Sequence, residues 1–117
     1  MDFKKKKISA HGIKITIEEN GEEVARGYLY IMTNDLHTKP FAFMEDVFVV
    51  ESLRGKGYGK KIVQELIEDA KREGCYKLIG TSRFERDNVH KFYEEFGFIK
   101  YGYEFRMNLT DKKTESN

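Results

Sequence analysis

Apolar and polar residues alternate along the first third of the chain, which is typical of an antiparallel sheet with one buried face. Ile13, Ile15 and Ile17 alternate with polar residues, and the pair Asn20-Gly21 follows them. Both residues of this pair tolerate positive φ, as the two-residue turn of a β-hairpin requires. The pattern therefore predicts a strand, a tight turn and a return strand over Val24 to Met32.

The middle of the chain predicts a buried strand followed by a long amphipathic helix. After a loop from Asn34 to Pro40, the run from Phe41 to Val50 is the most apolar of the sequence, which favours a central strand. A helix from Gly57 to Glu73 presents one apolar stripe and ends at Gly74. The stripe consists of Ile62, Val63, Leu66, Ile67 and Ala70.

The last third predicts a strand, a helix and a final strand. Tyr76 to Thr81 is a short strand, and Asp87 to Phe96 is a helix that ends at Gly97. From Ile99 to Leu109 the alternation is nearly strict, which indicates a half-buried strand. The order β-β-β-α-β-α-β is a mixed-sheet α/β fold, with a right-handed parallel crossover from Phe41 to Thr81.

Length and charge narrow the class of protein. A chain of 117 residues predicts one domain over 1–117, with frayed ends at 1–7 and 111–117. Charged residues make up 35%, but the formal net charge is only +1, which argues against a protein-wide field for nucleic acid.

Cysteine usage and hydropathy argue against a disulfide-bonded, a metal-binding, a membrane-spanning or a secreted protein. The single Cys75 cannot form an internal disulfide, and His11 and His37 stand in no metal-ligand spacing, so no metal is expected. No apolar run approaches the length of about 18 residues that spans a membrane. The basic run Lys4–Lys7 has no apolar stretch behind it, so it is not a secretion signal, and a cytoplasmic location is expected.

A glycine-rich loop lies between the most apolar strand and the longest helix. Gly55, Gly57 and Gly59 let the backbone turn sharply and approach a ligand without interference from a Cβ. The free N–H groups of the first helical turn and the helix dipole favour an anion. Positive charge is added by Arg54, Lys56, Lys60 and Lys61. The loop therefore predicts a phosphate or pyrophosphate site.

Other phosphate motifs fit this loop less well. A P-loop needs four residues between its first glycine and Gly-Lys-Ser/Thr, and in this loop no Ser or Thr follows Gly59-Lys60. The spacing G-x-G-x-G also departs from the G-x-G-x-x-G of dinucleotide-binding folds. A plain strand–helix turn would need small residues but not the flanking cations.

Two segments resemble the motifs of the GNAT superfamily of N-acetyltransferases. Val49 to Gly59, V-V-E-S-L-R-G-K-G-Y-G, looks like the acetyl-CoA motif R/Q-x-x-G-x-G/A, with Arg54, Gly57 and Gly59 in its three places. Val89 to Phe98, V-H-K-F-Y-E-E-F-G-F, looks like the later motif A-x-x-F-Y-E-x-x-G-F. The two motifs occur in the family's order.

The resemblance covers roughly Phe41 to Leu109 and implies the GNAT-like fold, in which two parallel central strands splay apart and acetyl-CoA enters the gap. By position, the pantetheine arm pairs with the backbone of Phe48, Val49 and Val50, and the N–H of Val49 polarises the thioester carbonyl. The pyrophosphate falls on the loop. The implied loop contacts are Arg54, Gly55, Lys56, Gly57, Tyr58, Gly59 and Lys60.

The resemblance also implies direct attack of an amine on the thioester, with an acid for the leaving thiolate. Tyr93 occupies the motif tyrosine and is the acid candidate; a core tyrosine on the helix is the alternative. Glu45 and Asp46 are the base candidates, because carboxylates in an apolar strand are costly to bury unpaired, and on a strand they point to opposite faces. A strand-end salt bridge is the alternative for them.

The segment Phe43 to Val49 resembles the corresponding strand of diamine and polyamine acetyltransferases, which favours Glu45 as the base, acting through water. The acceptor stays open between a primary amine such as a polyamine and a protein amine. A non-catalytic acyl-CoA sensor of the same fold is the alternative function, although a sensor needs neither Tyr93 nor Glu45. A nucleic-acid-associated or protein-modifying module that uses the Lys4–Lys7 arm is a third hypothesis.

The chain departs from the family pattern in two places. Many members carry Asn seven residues before the motif tyrosine, where Arg86 stands here, so a cofactor contact is assigned to Arg86 and to the nearby Asn88. The 40 residues before Phe41 form a hairpin rather than the strand and two helices that roof the acceptor site. The loop Asn34–Pro40 or a second subunit would supply the roof, and a homodimer is therefore expected.

Overall fold

A computed structural model describes residues 1–82 and 86–110 of the chain. Two compact units are formed, Met1–Gly80 and Thr81–Asn117. Residues 1–9 lie outside any helix or strand, and the tail 111–117 lies outside the described residues. Within the described part of the chain, no helix is both long enough and apolar enough to cross a membrane. One domain over the whole chain stays a prediction.

The first unit begins with the predicted hairpin. β1 (Ala10–Glu19) pairs antiparallel with β2 (Glu22–Met32). Asn20 and Gly21 connect the two strands with φ of 54° and 79°. A left-handed conformation at both residues is what a type I′ hairpin turn requires. The turn and both strands are therefore confirmed.

A third and a fourth strand complete a mixed sheet of order β1-β2-β3-β4. β3 (Phe41–Val49) is antiparallel to β2, and β4 (Leu78–Gly80) is parallel to β3. α1 (Tyr58–Arg72) connects β3 to β4. The strand predicted over Tyr76–Thr81 is shorter in the structure, because pairing with β3 is limited to Ala42–Met44.

The core of the first unit lies between α1 and one face of the sheet. Within the described chain, the buried apolar side chains come from β2, β3 and α1. They are Ala25, Leu29, Ile31, Ala42, Met44, Ile62, Val63, Leu66 and Ala70. The α1 members belong to the predicted stripe, of which only Ile67 is partly exposed. Each fully buried aliphatic side chain contributes about 1.5–3 kcal/mol, so burial of this face holds α1 on the sheet.

Gly27 of β2 allows α1 to approach the sheet closely. A Cβ at this position would lie 2.7 Å from Ile62 Cγ2 and 3.0 Å from Leu66 Cδ1. Separations below 3.0 Å are repulsive in a close-packed interior. The missing side chain therefore sets the distance between α1 and the strand pair β2–β3.

The second unit contains the predicted helix of the later motif. α2 spans Asp87–Glu95, and Gly97, with φ of 98°, follows its end. The rings of Phe92 and Phe96 pack edge to face with centroids 5.1 Å apart. The predicted helix and its glycine stop are confirmed.

The predicted final strand is wrong. No residue from 99 to 109 belongs to a strand, and the apolar side chains of this segment are exposed, from 73% at Tyr103 to 93% at Tyr101. Alternation shows that a segment could bury one face, but a strand also needs a neighbouring edge for its backbone. Within the described residues the order is therefore β-β-β-α-β-α, a mixed α+β fold with a four-stranded sheet and two helices.

Candidate active site

A β-bulge interrupts β3 where the two acidic residues stand. Arg26 pairs with Phe48 and Tyr28 pairs with Glu45, so Asp46 and Val47 together lie opposite the single residue Gly27. Asp46 has a φ of 49°, in the left-handed region. An extra residue on one strand and a left-handed or helical backbone are the marks of a bulge.

The bulge corrects the prediction that Glu45 and Asp46 point to opposite faces. That prediction assumed uninterrupted alternation, which an inserted residue breaks. Both side chains are exposed in the structure. Asp46 accepts a hydrogen bond from Arg26 Nε at 3.1 Å, and this contact raises the pKa of Arg26. Asp46 therefore forms the salt bridge that was the alternative to a base.

Glu45 lies beside this ion pair on β3 and pairs across the sheet with Tyr28. Its carboxylate is exposed, and no ion pair or hydrogen bond of it is seen with residues 1–82 or 86–110. A solvated carboxylate of this kind is able to accept a proton through water. Glu45 stays the predicted base.

The peptide groups of Val49 face away from β2. Val50 N–H donates to Val24 O at 2.9 Å, and along an antiparallel pair successive residues direct their backbone groups to alternate sides. The amide of Val50 is thus used within the sheet, and the amide of Val49 points to the other edge of β3. Because pairing with β4 ends at Met44, that edge carries no strand of the described chain at Val49.

The glycine loop enters α1 with a left-handed backbone. Gly55 and Gly57 have φ of 79° and 90°, and Gly57 is the residue before the helix. No side chain of residues 1–82 or 86–110 caps the helix, and its first turn contains no acidic residue. The first amides, from Tyr58, Gly59 and Lys60, lack partners within the helix because they precede its first turn of hydrogen bonds.

This loop fits a pyrophosphate. Uncapped amides and the positive end of the helix dipole attract an anion. Lys56 and Lys60 are exposed beside them and supply positive charge. A Cβ on Gly55 or Gly57 would meet no atom of the described part of the chain within 4 Å, so these residues leave space open above both glycines.

Two loop side chains are directed elsewhere. Tyr58 donates its hydroxyl to Glu19 of β1, and this hydrogen bond raises the pKa of Tyr58. The predicted cofactor contact of Tyr58 is thereby left to its backbone N–H. Arg54 folds back onto β3, where its Nε donates to Val49 O at 3.0 Å and its guanidinium lies 5.5 Å from the centre of the Phe48 ring.

In the second unit, Tyr93 is packed among aromatic rings. Its ring centroid lies 5.9 Å from that of Phe92 and 5.6 Å from that of Phe98. Burial raises the pKa of Tyr93. The hydroxyl is protonated at neutral pH, as that of any tyrosine is and as a general acid requires. Arg86 precedes α2 and Asn88 lies in its first turn, and both are exposed. The roles of these three residues stay predictions.

Sequence reasoning missed Arg26 and Gly27. Arg26 gives Asp46 its partner and also lies 4.6 Å from the centre of the Phe48 ring. A signal was present, since a lone glycine inside a strand often marks a bulge or a close approach of another element. Gly27 lies opposite the bulge of β3, and its missing side chain also allows α1 to pack closely on β2.

Comparison with known proteins agrees with this geometry. The model of the acetyltransferase (GNAT) family matches residues 2–98. A glucosamine 6-phosphate N-acetyltransferase of Trypanosoma brucei brucei is 38% identical over 66 residues, 56% of this chain and 43% of that protein. An aminoglycoside N(6')-acetyltransferase type 1 of Serratia marcescens is 28% identical over 78 residues, 67% of this chain and 52% of that protein.

A solved structure shares the fold as well. The glucosamine-6-phosphate N-acetyltransferase of Arabidopsis thaliana superimposes with a TM-score of 0.77 at 30% identity, covering 85% of this chain and 67% of that one. The chain spans about half the length, or less, of the two curated relatives named above. Since the family model covers most of the sequence, the chain belongs to the GNAT family of acetyltransferases.

Proposed function

We propose that this protein is an N-acetyltransferase that moves an acetyl group from acetyl-CoA to an amine. One observation carries the proposal: the outward-facing peptide of Val49 lies just before an uncapped, cation-flanked helix start at Tyr58. The first feature suits a thioester and its pantetheine arm, and the second suits a pyrophosphate. Acetyl-CoA contains both groups in one molecule.

The backbone of Val49 supplies polarisation of the thioester. Its N–H donates to the carbonyl oxygen, where negative charge grows as the amine attacks. Its C=O accepts a hydrogen bond from Arg54 Nε, and this contact holds the following peptide group and thereby restrains the backbone of Val49 before the substrate arrives. A donor that is already oriented needs no reorganisation during the reaction.

Two side chains divide the proton transfers. Glu45 accepts a proton from the attacking amine through water, because only a neutral amine is a nucleophile. Tyr93 donates its proton to the thiolate of coenzyme A as the C–S bond breaks. A tyrosine hydroxyl is protonated at neutral pH, so this proton is present.

The charges on the sheet face opposite α1 favour a cationic acceptor. Lys14 is bound to Glu23 at 2.7 Å and Arg26 to Asp46 at 3.1 Å, so both cations are already neutralised. Glu45, which has no ion-pair partner among the described residues, adds a carboxylate to this face. A polyamine, an aminoglycoside or a lysine side chain suits that balance better than a sugar phosphate.

A non-catalytic acyl-CoA sensor is the alternative function. Such a module would use the loop and Val49 but would need neither Glu45 nor a protonated Tyr93. Binding of acetyl-CoA without release of thiol, for every amine offered, would establish the sensor.

A homodimer is the second part of the proposal. The segment from Ile99 to Leu109 exposes large apolar side chains at every second position. Exposed apolar surface of this extent marks an interaction site, and an extended segment pairs by adding a strand to a sheet edge. A second copy of the chain would cover the apolar side chains and also offer a sheet edge for this segment to pair with. Sedimentation that shows an active monomer would refute this part.

Thiol release from acetyl-CoA tests the enzyme activity. A panel should contain spermidine, an aminoglycoside, glucosamine 6-phosphate and an N-terminal peptide, with spermidine or the aminoglycoside expected to react fastest. Glu45→Gln is the matched variant, since it keeps the shape and loses the base. Absence of any thermal shift at millimolar acetyl-CoA would contradict cofactor binding itself.

A further inference from the structure

A connected set of side chains joins the bulge of β3 to the phosphate loop. Asp46 holds Arg26, and the guanidinium of Arg26 lies 4.6 Å from the centre of the Phe48 ring. The guanidinium of Arg54 lies 5.5 Å from the centre of the same ring and donates to Val49 O. Two cation–π contacts thus meet on one phenyl group, the first reached from the bulge and the second from the loop.

The bulge determines which backbone groups of β3 face outward. In an uninterrupted strand, removal of one residue reverses the direction of every group that follows it. With the bulge, Val50 N–H bonds to Val24 and the peptide groups of Val49 point away from β2. If the bulge were lost between Glu45 and Phe48, Val49 would turn towards β2 instead.

The conformation at Asp46 is demanding for most residues. A φ of 49° is disfavoured for side chains with a Cβ, although Asp and Asn tolerate it because their short polar groups bond locally. In this conformation Asp46 makes its ion pair with Arg26. Glu23 also lies 3.7 Å from Arg26, so the guanidinium is held from two sides.

We propose that Asp46 is a positioning residue for acetyl-CoA. Its left-handed backbone and its ion pair with Arg26 fix the bulge, and the bulge fixes the outward peptide of Val49 and the placement of Arg54. The inference rests on the proposed function, in which the Val49 N–H contacts acetyl-CoA and Arg54 holds the Val49 carbonyl. It also removes Asp46 from the base candidates and leaves Glu45.

Three substitutions at one position separate backbone from charge. Asp46→Gly keeps access to positive φ and loses the ion pair. Asp46→Asn keeps the conformational tendency and an oxygen for Arg26, but loses the charge. Asp46→Ala loses both the tolerance of positive φ and the ion pair with Arg26. Asp69→Asn is the control, since it weakens another exposed ion pair, with Arg72 near the end of α1, far along the helix from the loop.

The kinetic result expected is a graded rise of the KM for acetyl-CoA. Asp46→Ala should lower kcat/KM for acetyl-CoA about tenfold, the size that loss of one hydrogen bond to a charged group produces. Asp46→Asn and Asp46→Gly should each lose about threefold. The kcat at saturating acetyl-CoA should also fall, because the Val49 N–H acts on the charge that develops during the reaction, whereas the shape of the pH profile should match that of the unmodified protein. Arg26→Gln should reproduce the loss and add little to it in the double variant.

A second readout needs no cofactor. Nuclear magnetic resonance of the free protein reports the Val49 amide and the Arg54 Nε–H, and both signals should move in Asp46→Ala and stay in Asp69→Asn. If the unmodified protein proves inactive, these signals still decide whether Asp46 positions the two groups. Failure of the proposed function is thereby distinguishable from failure of this inference.

Two outcomes would overturn the inference. Unchanged signals of Val49 and Arg54 in Asp46→Ala would show that the bulge does not depend on Asp46. A fall of kcat in Asp46→Asn at constant KM, with loss of the acidic limb of the pH profile, would instead make Asp46 the base.

Discussion

Substitution of Gly27 by alanine tests the close packing between α1 and the bulged strand pair. The added methyl group would lie 2.7 Å from Ile62 Cγ2 and 3.0 Å from Leu66 Cδ1. Both neighbours are side chains of the buried core, so neither can move into solvent. We expect the protein to be destabilised although alanine is normally better than glycine in a strand.

The magnitude follows from opposing contributions. Burial of one methyl group stabilises by about 0.8 kcal/mol, and the loss of glycine flexibility in the unfolded chain stabilises by about 0.7 kcal/mol. Overpacking of a rigid core costs about 3 kcal/mol, the upper part of its usual range, because contacts at two atoms are short. The free energy of unfolding should therefore fall by about 1.5 kcal/mol, and Tm by about 6 °C.

Urea denaturation with an unchanged m-value provides the measurement. Gly12→Ala is the matched control, because its Cβ would meet the ring of Tyr30 at 3.1 Å and Leu29 O at an ordinary contact distance of 3.6 Å. Tyr30 is 40% exposed, so its ring has room to shift towards solvent. Ile62→Leu removes the offending Cγ2, so the double variant Gly27→Ala/Ile62→Leu should recover part of the loss. Equal stability of Gly27→Ala and the parent protein, without coupling to residue 62, would refute the reasoning.

Three further predictions concern the site. Tyr93→Phe should lower kcat about 100-fold and leave the dissociation constant of acetyl-CoA within about twofold; an unchanged kcat would exclude Tyr93 as the acid. Because burial raises the pKa of Tyr93, its contribution to stability is complete below about pH 10 and is lost as pH rises through the folded pKa, so Tyr93→Phe should flatten the alkaline fall of unfolding free energy. Tyr58→Phe is the variant to compare with Tyr93→Phe, since the pKa of Tyr58 is raised mainly by its hydrogen bond to Glu19 rather than by burial alone. Lys56→Ala and Lys60→Ala should each weaken calorimetric binding of coenzyme A and reduce its salt dependence, whereas Lys71→Ala should change neither.

Features that local rules decide were predictable from the sequence. Asn20-Gly21 specifies its turn through two adjacent backbone conformations, and both are left-handed in the structure. The α1 stripe depends only on helical spacing and hydrophobicity, and Ile62 and Leu66 are fully buried. The loop glycines Gly55 and Gly57 adopt positive φ, as a sharp strand–helix connection requires.

Features that depend on a second segment were not predictable in the same way. The strand rule for Glu45 and Asp46 failed because a bulge depends on the partner strand, here on Gly27. The orientation of Arg54 depends on Phe48, which the loop sequence does not reveal. The final strand failed for a related reason, since alternation from Ile99 to Leu109 says nothing about the edge that would receive it.

The polar half of that segment has a consequence for aggregation. A long exposed stretch with alternating aromatic and aliphatic residues is suited to stack with identical copies into a cross-β fibril. In a parallel, in-register stack, Lys100, Glu104 and Arg106 would each lie about 4.8 Å from the same charge in the next chain. Repulsion repeated along the stack opposes fibril growth, while an antiparallel pair with Phe105 opposite itself would place Glu104 beside Arg106. The segment thus combines a high tendency to pair with a charge pattern that disfavours endless repetition.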